Sequence, residues 1–165
     1  NLDALVKFIK RGKVRGAAID VFPDEPKGRG ESFKSQLQLL PNVILTPHIA
    51  GSTQEAQRNI AEFVSGKTID FINTGDTQFS VNFPNIALPK QGNSHRLLHL
   101  HQNVPGILAQ INKVLADNKI NINGQSLKTN DDVGYVITDV NKKYNAQVLD
   151  LLKKIPDTIR FRVLY

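Results

Sequence analysis

Residues 95–165 carry a complete run of alternations that leaves few folds open. HRLLHLH (95–101) reads as a strand, and VPGILAQINKVLADN (104–118) as a helix. In that helix Pro105 stands in the first turn, and Ile107, Leu108, Ile111, Val114 and Leu115 form one stripe. INGQSLKT and GYVITDV flank TNDDVG, whose polar residues and glycine suit a hairpin loop. Ala146, Val148, Leu149, Leu152 and Ile155 predict a second helix that stops before Pro156. TIRFRVLY then alternates strictly, with Ile159, Phe161, Val163 and Tyr165 on one face. The order is βαββαβ, the ferredoxin-like arrangement. One face of its sheet takes both helices, and the other is expected to meet solvent or a partner.

The first part of the chain has another rhythm. Asn1 can cap a helix to about Arg11, with Leu2, Leu5, Val6 and Ile9 on one face, and Gly12 ends it. GAAIDVF and PNVILTPH read as short strands buried on both faces, separated by the polar loop PDEPKGRGES and a turn through FKSQLQLL. This succession is the tail of a Rossmann-type parallel α/β sheet. Two strands do not complete such a sheet, so the rest is expected upstream of Asn1; the lack of methionine points the same way. A long helix is expected from Thr53 to about Asn73, on Ala56, Ile60, Ala61, Val64, Ile69 and Ile72. The Gly- and Pro-rich connector after it contains FSVNF, which alternates and could pair as a strand. A domain boundary is placed near Gly92.

Composition excludes several classes of function. With 40% hydrophobic residues the chain can bury a core, but no apolar run is long enough to span a membrane. Zero cysteines remove disulfides and thiolate metal sites, which suits the cytoplasm. The net charge of +6 raises nucleic acid as a partner. Yet residues 1–94 hold 11 Lys and Arg and residues 95–165 hold 10, so the charge is not concentrated. The few aromatics do not interleave with it as single-strand binders require. Nucleic acid is therefore not an expected partner.

Chemistry gathers around LTPHIAGSTQEAQ (45–57), where His48 stands at the carboxyl end of a strand, before a turn. Parallel strands bring their carboxyl ends together, so the DVFPDEP loop, with Asp20, Asp24 and Glu25, can meet the TPH turn. A carboxylate beside a histidine raises its pKa and fixes its tautomer, which makes an acid–base group poised near neutrality. His95, His99 and His101 share strand parity. With no carboxylate or thiolate to join them, they are expected to be surface or interface polar residues and not a metal site.

GAAIDVFPDEP followed by NVILTPHIAGSTQEAQ resembles the carboxyl-terminal signature of NAD-dependent D-2-hydroxyacid dehydrogenases. Residues 95–165, with their HQNVPGIL turn, resemble an amino-acid-binding (ACT) module, so the resemblance covers essentially the whole chain. It implies residues 1–52 as part of an NAD-binding domain, 53–92 as a crossing helix and connector of the substrate domain, and 93–165 as an ACT regulatory domain. It also implies His48 as catalytic proton donor and acceptor with Glu25 as its partner. Asp20 would contact the nicotinamide carboxamide, and His48, Ile49, Ala50 and Gly51 would form the cofactor-side turn. The family's catalytic arginine and Gly-rich pyrophosphate loop would fall before Asn1, so this chain alone is expected to be inactive. The implied reaction is oxidation of 3-phospho-D-glycerate with NAD. The implied effector is L-serine, held by His101, Asn103 and Asn121, and the implied assembly is a homotetramer joined through ACT modules. A dehydrogenase of another 2-hydroxy acid, or a stand-alone amino-acid-binding module, is the alternative.

Overall fold

The computed structural model describes residues 1–28, 30–89, 92–141 and 144–164. The chain divides into two compact units, Asn1–Ala61 and Glu62–Tyr165.

In the first unit, helix α1 (Leu2–Lys10) begins where the Asn1 side chain accepts the N–H of Ala4, at 3.0 Å. Asp3 in its first turn and Lys7 and Lys10 in its last complement the helix dipole. Its Val6 and Ile9 are buried with Leu37. Strands β1 (Ala17–Ile19) and β2 (Val43–Leu45) pair in parallel, Ala17 opposite Val43 and Ile19 opposite Leu45. The expectation of strands buried on both faces is corrected. Ala18 and Ile44 alternate away from the core residues Ala17, Ile19, Val43 and Leu45 and stand exposed, Ile44 at 65%. A 3₁₀ turn (Ala50–Ser52) leads into helix α2 (Gln54–Thr74), which runs through the boundary between the units and buries none of its residues.

The second unit holds a four-stranded antiparallel sheet in the order β4-β5-β3-β6, made of β3 (His95–Gln102), β4 (Ile122–Thr129), β5 (Val133–Val140) and β6 (Thr158–Leu164). Helices α3 (Ile107–Asp117) and α4 (Ala146–Lys153) cover one face. Between them and the sheet lie Leu97, Ile107, Ile111, Leu115, Val136, Val140, Val148 and Leu152. This is the ferredoxin-like fold expected. Helix α3 starts at Ile107, so Pro105 precedes the left-handed Gly106 cap instead of standing in the first turn. Tyr165, expected at the end of the last strand, lies outside the described residues.

On the opposite sheet face, expected to meet solvent or a partner, the chain's own connector supplies cover. Phe83, Ile86 and Leu88 of the connector lie on Leu98, Leu100, Tyr135 and Ile137. FSVNF is not a strand, because the connector folds on itself: the Thr77 N–H donates to Ile86 O, and the Ile86 N–H to Thr77 Oγ1. The end of α2 is tied to the same face. Carbonyls there accept from three sheet residues: Ile72 O from Arg162, Thr74 O from Arg96 and Gly75 O from the Tyr135 hydroxyl. Gly75 needs its φ of +75° there, and a Cβ would collide with the Leu98 side chain. Arg96 is also paired in two hydrogen bonds of 2.7 Å with Asp139, both side chains buried. Among the described residues, no helix is long and apolar enough to cross a membrane.

Candidate active site

Strands β1 and β2 end on the same rung, and the site is built from the residues just past each. The Thr46 N–H donates to Ile19 O at 3.0 Å, closing the ladder. Beyond that point side chains replace backbone. Asp20 Oδ1 accepts the Thr46 hydroxyl at 2.5 Å and the His48 N–H at 3.0 Å. Glu25 Oε1 accepts the Phe22 N–H at 2.8 Å, which folds the DVFPDEP loop back on itself. Both oxygens of Glu25 then lie against His48 Nδ1, at 2.8 and 2.9 Å.

With Glu25 ionised, Nδ1 carries the proton and donates it to the carboxylate, leaving the Nε2 lone pair free. The expected meeting of His48 with a carboxylate is observed, and Glu25, not Asp24, makes it. Glu25 raises the pKa of His48 through the hydrogen bond and its charge. The carboxyl of Glu25 is in turn held below its ordinary range, first by the Phe22 N–H and then by His48. Asp20 is lowered chiefly by the Thr46 hydroxyl. All three groups are solvent-accessible, as a proton-transfer pair open to a substrate requires.

Glu25, Thr46, Pro47 and His48 share a cavity of about 410 Å³ with the apolar walls of Phe22, Phe33 and Leu45. Ile49 is exposed, and Ala50 and Gly51 lie in the 3₁₀ turn after His48, closed by the Ser52 N–H on Ile49 O. Among the described residues, both hydrogen bonds to Asp20 end on Oδ1, so Oδ2 is an acceptor for an amide. A fixed carboxylate acceptor at Asp20 and a largely apolar cavity beside His48 fit the amide and ring of a nicotinamide. Sequence reading missed Thr46. Its position one residue past β2 was the available signal, but the signal means something only once the parallel register is known.

The second group of candidates lies in the sheet unit. His99 and His101 are almost fully buried within the single chain, which corrects the expectation of surface or interface residues. They share parity with Leu97 and point beneath the helices. The Thr158 hydroxyl donates to Ile155 O, so it accepts from His99 Nε2, at 2.7 Å. His99 Nδ1 is left buried without a partner among the described residues. Burial, and then the neighbouring His101, push the pKa of His99 down to about 4. His101 Nδ1 donates to Gln102 O at 2.6 Å, and its ring lies over Gly134, where it fills the place a Cβ would take. Asn103 is exposed beside the β4–β5 hairpin and donates to Asn130 O. Asn121 precedes β4 at the other end of the sheet, where Ile122 pairs with Val140. His101 pairs with Gly134. Six strand residues at about 3.4 Å each separate these two rungs, roughly 20 Å. One chain therefore brings His101 and Asn103 to one end and Asn121 to the other. Among the described residues, no cluster of three His, Asp or Glu side chains could hold a metal.

Comparison with known proteins matches two families to separate parts of the chain. Residues 1–50 match the NAD-binding domain of D-isomer specific 2-hydroxyacid dehydrogenases, and residues 97–160 the AHAS small subunit-like ACT domain. D-3-phosphoglycerate dehydrogenase of Haemophilus influenzae is 48% identical over 165 residues, covering 100% of this chain and 40% of the relative. The two family models thus match separate parts of the chain, and this relative is similar to it over the whole of its length. The Dictyostelium discoideum D-3-phosphoglycerate dehydrogenase is 42% identical over 98% of this chain and 39% of its own length. The chain thus spans about two fifths of the length of the curated relatives it matches. Among solved structures, the ACT domain from GTP pyrophosphokinase of Chlorobium tepidum aligns with 43% of the chain and 96% of its own, at 18% identity and a TM-score of 0.39. NAD is the cofactor of the matched dehydrogenase domain.

Proposed function

We propose that the enzyme containing this chain oxidises 3-phospho-D-glycerate to 3-phosphohydroxypyruvate with NAD, the first step of L-serine synthesis in the cytoplasm. The observation that carries this reading is the His48–Glu25 pair at 2.8 Å, with the Asp20 carboxylate fixed on the His48 N–H beside it. Neutral His48 takes the hydroxyl proton of the substrate at Nε2, and Glu25 stabilises the imidazolium that forms. In the reverse direction the imidazolium returns the proton to the carbonyl oxygen. Asp20 Oδ2 accepts from the nicotinamide carboxamide, and the turn through Ile49, Ala50 and Gly51 borders the cofactor. NAD, when bound, supplies the hydride acceptor.

In this reading residues 1–52 belong to the NAD-binding domain, 53–92 to the substrate domain and its connector, and 93–165 to the regulatory domain. L-serine binds between two subunits, with His101 and Asn103 from one and Asn121 from its neighbour. The separation of these residues within one chain supports such a shared site. It also supports assembly of a homotetramer through paired ACT domains, in which serine inhibits from a distance by favouring one arrangement of the enzyme. The isolated 165-residue chain is inactive. The test is NADH formation by the full-length enzyme with 3-phosphoglycerate and with D-lactate, at matched concentrations. Faster turnover of the unphosphorylated acid would replace the substrate and keep the family chemistry.

A further inference from the structure

Three features of the His48 turn have separate causes and converge on one residue. His48 has φ of 49°, in the left-handed region that non-glycine residues occupy at a cost. Pro47 before it has no N–H and a fixed φ, so the step from Thr46 to His48 is stiff. The His48 N–H and the Thr46 hydroxyl both end on Asp20 Oδ1.

We infer that Thr46 and Asp20 clamp the backbone of His48 in its left-handed state, and that Thr46 is thereby a positioning residue for the imidazole. The two carboxylates then have separate tasks. Asp20 holds the backbone of the histidine, and Glu25 holds its ring. The clamp needs an O–H at position 46. The hydroxyl donates to Asp20 Oδ1, which fixes the carboxylate where it can accept the His48 N–H two residues on. Without it, Asp20 turns freely about its own side-chain bonds and the His48 backbone relaxes out of the left-handed region. The ring then leaves Glu25, because it is the left-handed backbone that aims the imidazole at the carboxylate. Valine has nearly the shape of threonine but no hydroxyl, and serine keeps the hydroxyl.

The charged groups that face His48 are Glu25, from the loop after β1, and Asp20, at the end of β1. Loss of the Glu25 contact therefore lowers the midpoint at which His48 titrates. This can be read in the 165-residue chain itself, independently of any activity. The chain has four histidines, and proton NMR resolves their ring resonances, with His48→Gln assigning the one of interest. Thr46→Val should shift the midpoint of His48 downward, toward that of an ordinary histidine and in the same direction as Glu25→Gln. Thr46→Ser should leave it unchanged, and Thr46→Val with Glu25→Gln should shift it no further than Glu25→Gln alone. An unshifted midpoint in Thr46→Val overturns the clamp. If that variant unfolds, the wild-type chain decides, because the clamp requires the His48 amide proton to exchange slowly, and free exchange there overturns it equally.

The catalytic consequence rests on the dehydrogenase reading above. In the full-length enzyme Thr46→Val should lower kcat about tenfold or more while KM for the 2-hydroxy acid changes little, since a misplacement of about 1 Å can cost roughly a hundredfold. Thr46→Ser should restore most of it. If His48→Ala leaves turnover untouched, the dehydrogenase reading fails, while the titration in the isolated chain still decides the clamp.

Discussion

The turn that carries His48 and the sheet that carries His99 are both built on paired strands, yet they solve opposite problems. In the first unit each strand has three paired residues, the buried hydrophobic core is Val6, Ile9 and Leu37, and Val21, Ile44 and Ile49 stand in the open. Its polar groups are held by short hydrogen bonds near solvent. In the second unit Leu115, Val136, Ile137, Val140 and Leu152 are wholly buried, and even an ion pair lies inside. A histidine on the exposed turn has a carboxylate beside it and a raised pKa; one inside the sheet unit is dominated by burial, and its pKa is lowered. The same side chain is made fit for proton transfer or kept neutral by its surroundings. The larger buried core lies in one region and the candidate chemistry in the other.

The strongest way to break this contrast is to open the buried ion pair. Asp139→Ala leaves the Arg96 guanidinium buried with its carboxylate gone, and removal of one partner of such a pair costs about 3–5 kcal/mol. Urea unfolding of the chain should show the sheet unit losing stability of that order, with the His48 resonance unmoved. A loss under about 1 kcal/mol, the range of exposed pairs, would mean that the pair is not as sealed as its burial indicates.

The mirror experiment is His48→Ala in the full-length dehydrogenase proposed above. Loss of an acid–base group lowers turnover by about a hundredfold or more. Its unfolding midpoint should stay where it was, because His48 is exposed and packs on no core. Equal turnover would remove His48 from the chemistry.

Glu25→Gln sharpens the comparison by removing the charge beside His48 while keeping the size of the side chain. Because Glu25 raises the pKa of His48, the imidazolium persists to higher pH than in an ordinary histidine. The proposed oxidation needs the neutral base, so its rate should rise as pH climbs through that raised value. Without the carboxylate the rise should occur at lower pH, and its plateau should be lower because the imidazolium is no longer stabilised. Reduction, which needs the imidazolium, should lose its rate at a correspondingly lower pH. A pH–rate profile that keeps its midpoint would show that the two side chains do not meet during turnover.

Much of this was legible in the sequence, for identifiable reasons. Helical spacing in 104–118 and alternation in 158–165 are local signals, and each element formed within a few residues of its expected place. The rule that parallel strands bring their carboxyl ends together led the DVFPDEP loop to His48 but left Asp20, Asp24 and Glu25 open; the choice of Glu25 came from the family resemblance. What failed was long-range. FSVNF alternates like a strand, but its Phe83 and the nearby Ile86 serve as a cover for Leu98 and Ile137, residues farther along the chain. Thr46 looks like any hydroxyl at a strand end until the register sets it opposite Asp20. His99 and His101 are a different case. They share parity with Leu97, an apolar residue facing the helices, so alternation counted from Leu97 already places both rings inside.

The smallest expected effect tests the exposed side of the comparison. Ile44 is the central residue of β2 and 65% exposed, so Ile44→Ala removes apolar surface that is mostly in water already. In this chain the change should alter the unfolding free energy by no more than about 0.5 kcal/mol, as surface substitutions generally do. The aligned chain covers only 40% of its Haemophilus influenzae relative, and a parallel sheet in an α/β domain is covered on both faces. In the full-length enzyme the same substitution should therefore cost about 2 kcal/mol or more, the range for truncating a buried isoleucine. Differential scanning of both proteins reads the two values side by side. Equal and small effects would mean that the face bearing Ala18 and Ile44 stays open in the enzyme, and that the first unit is sparse by nature and not because its cover lies elsewhere in the protein.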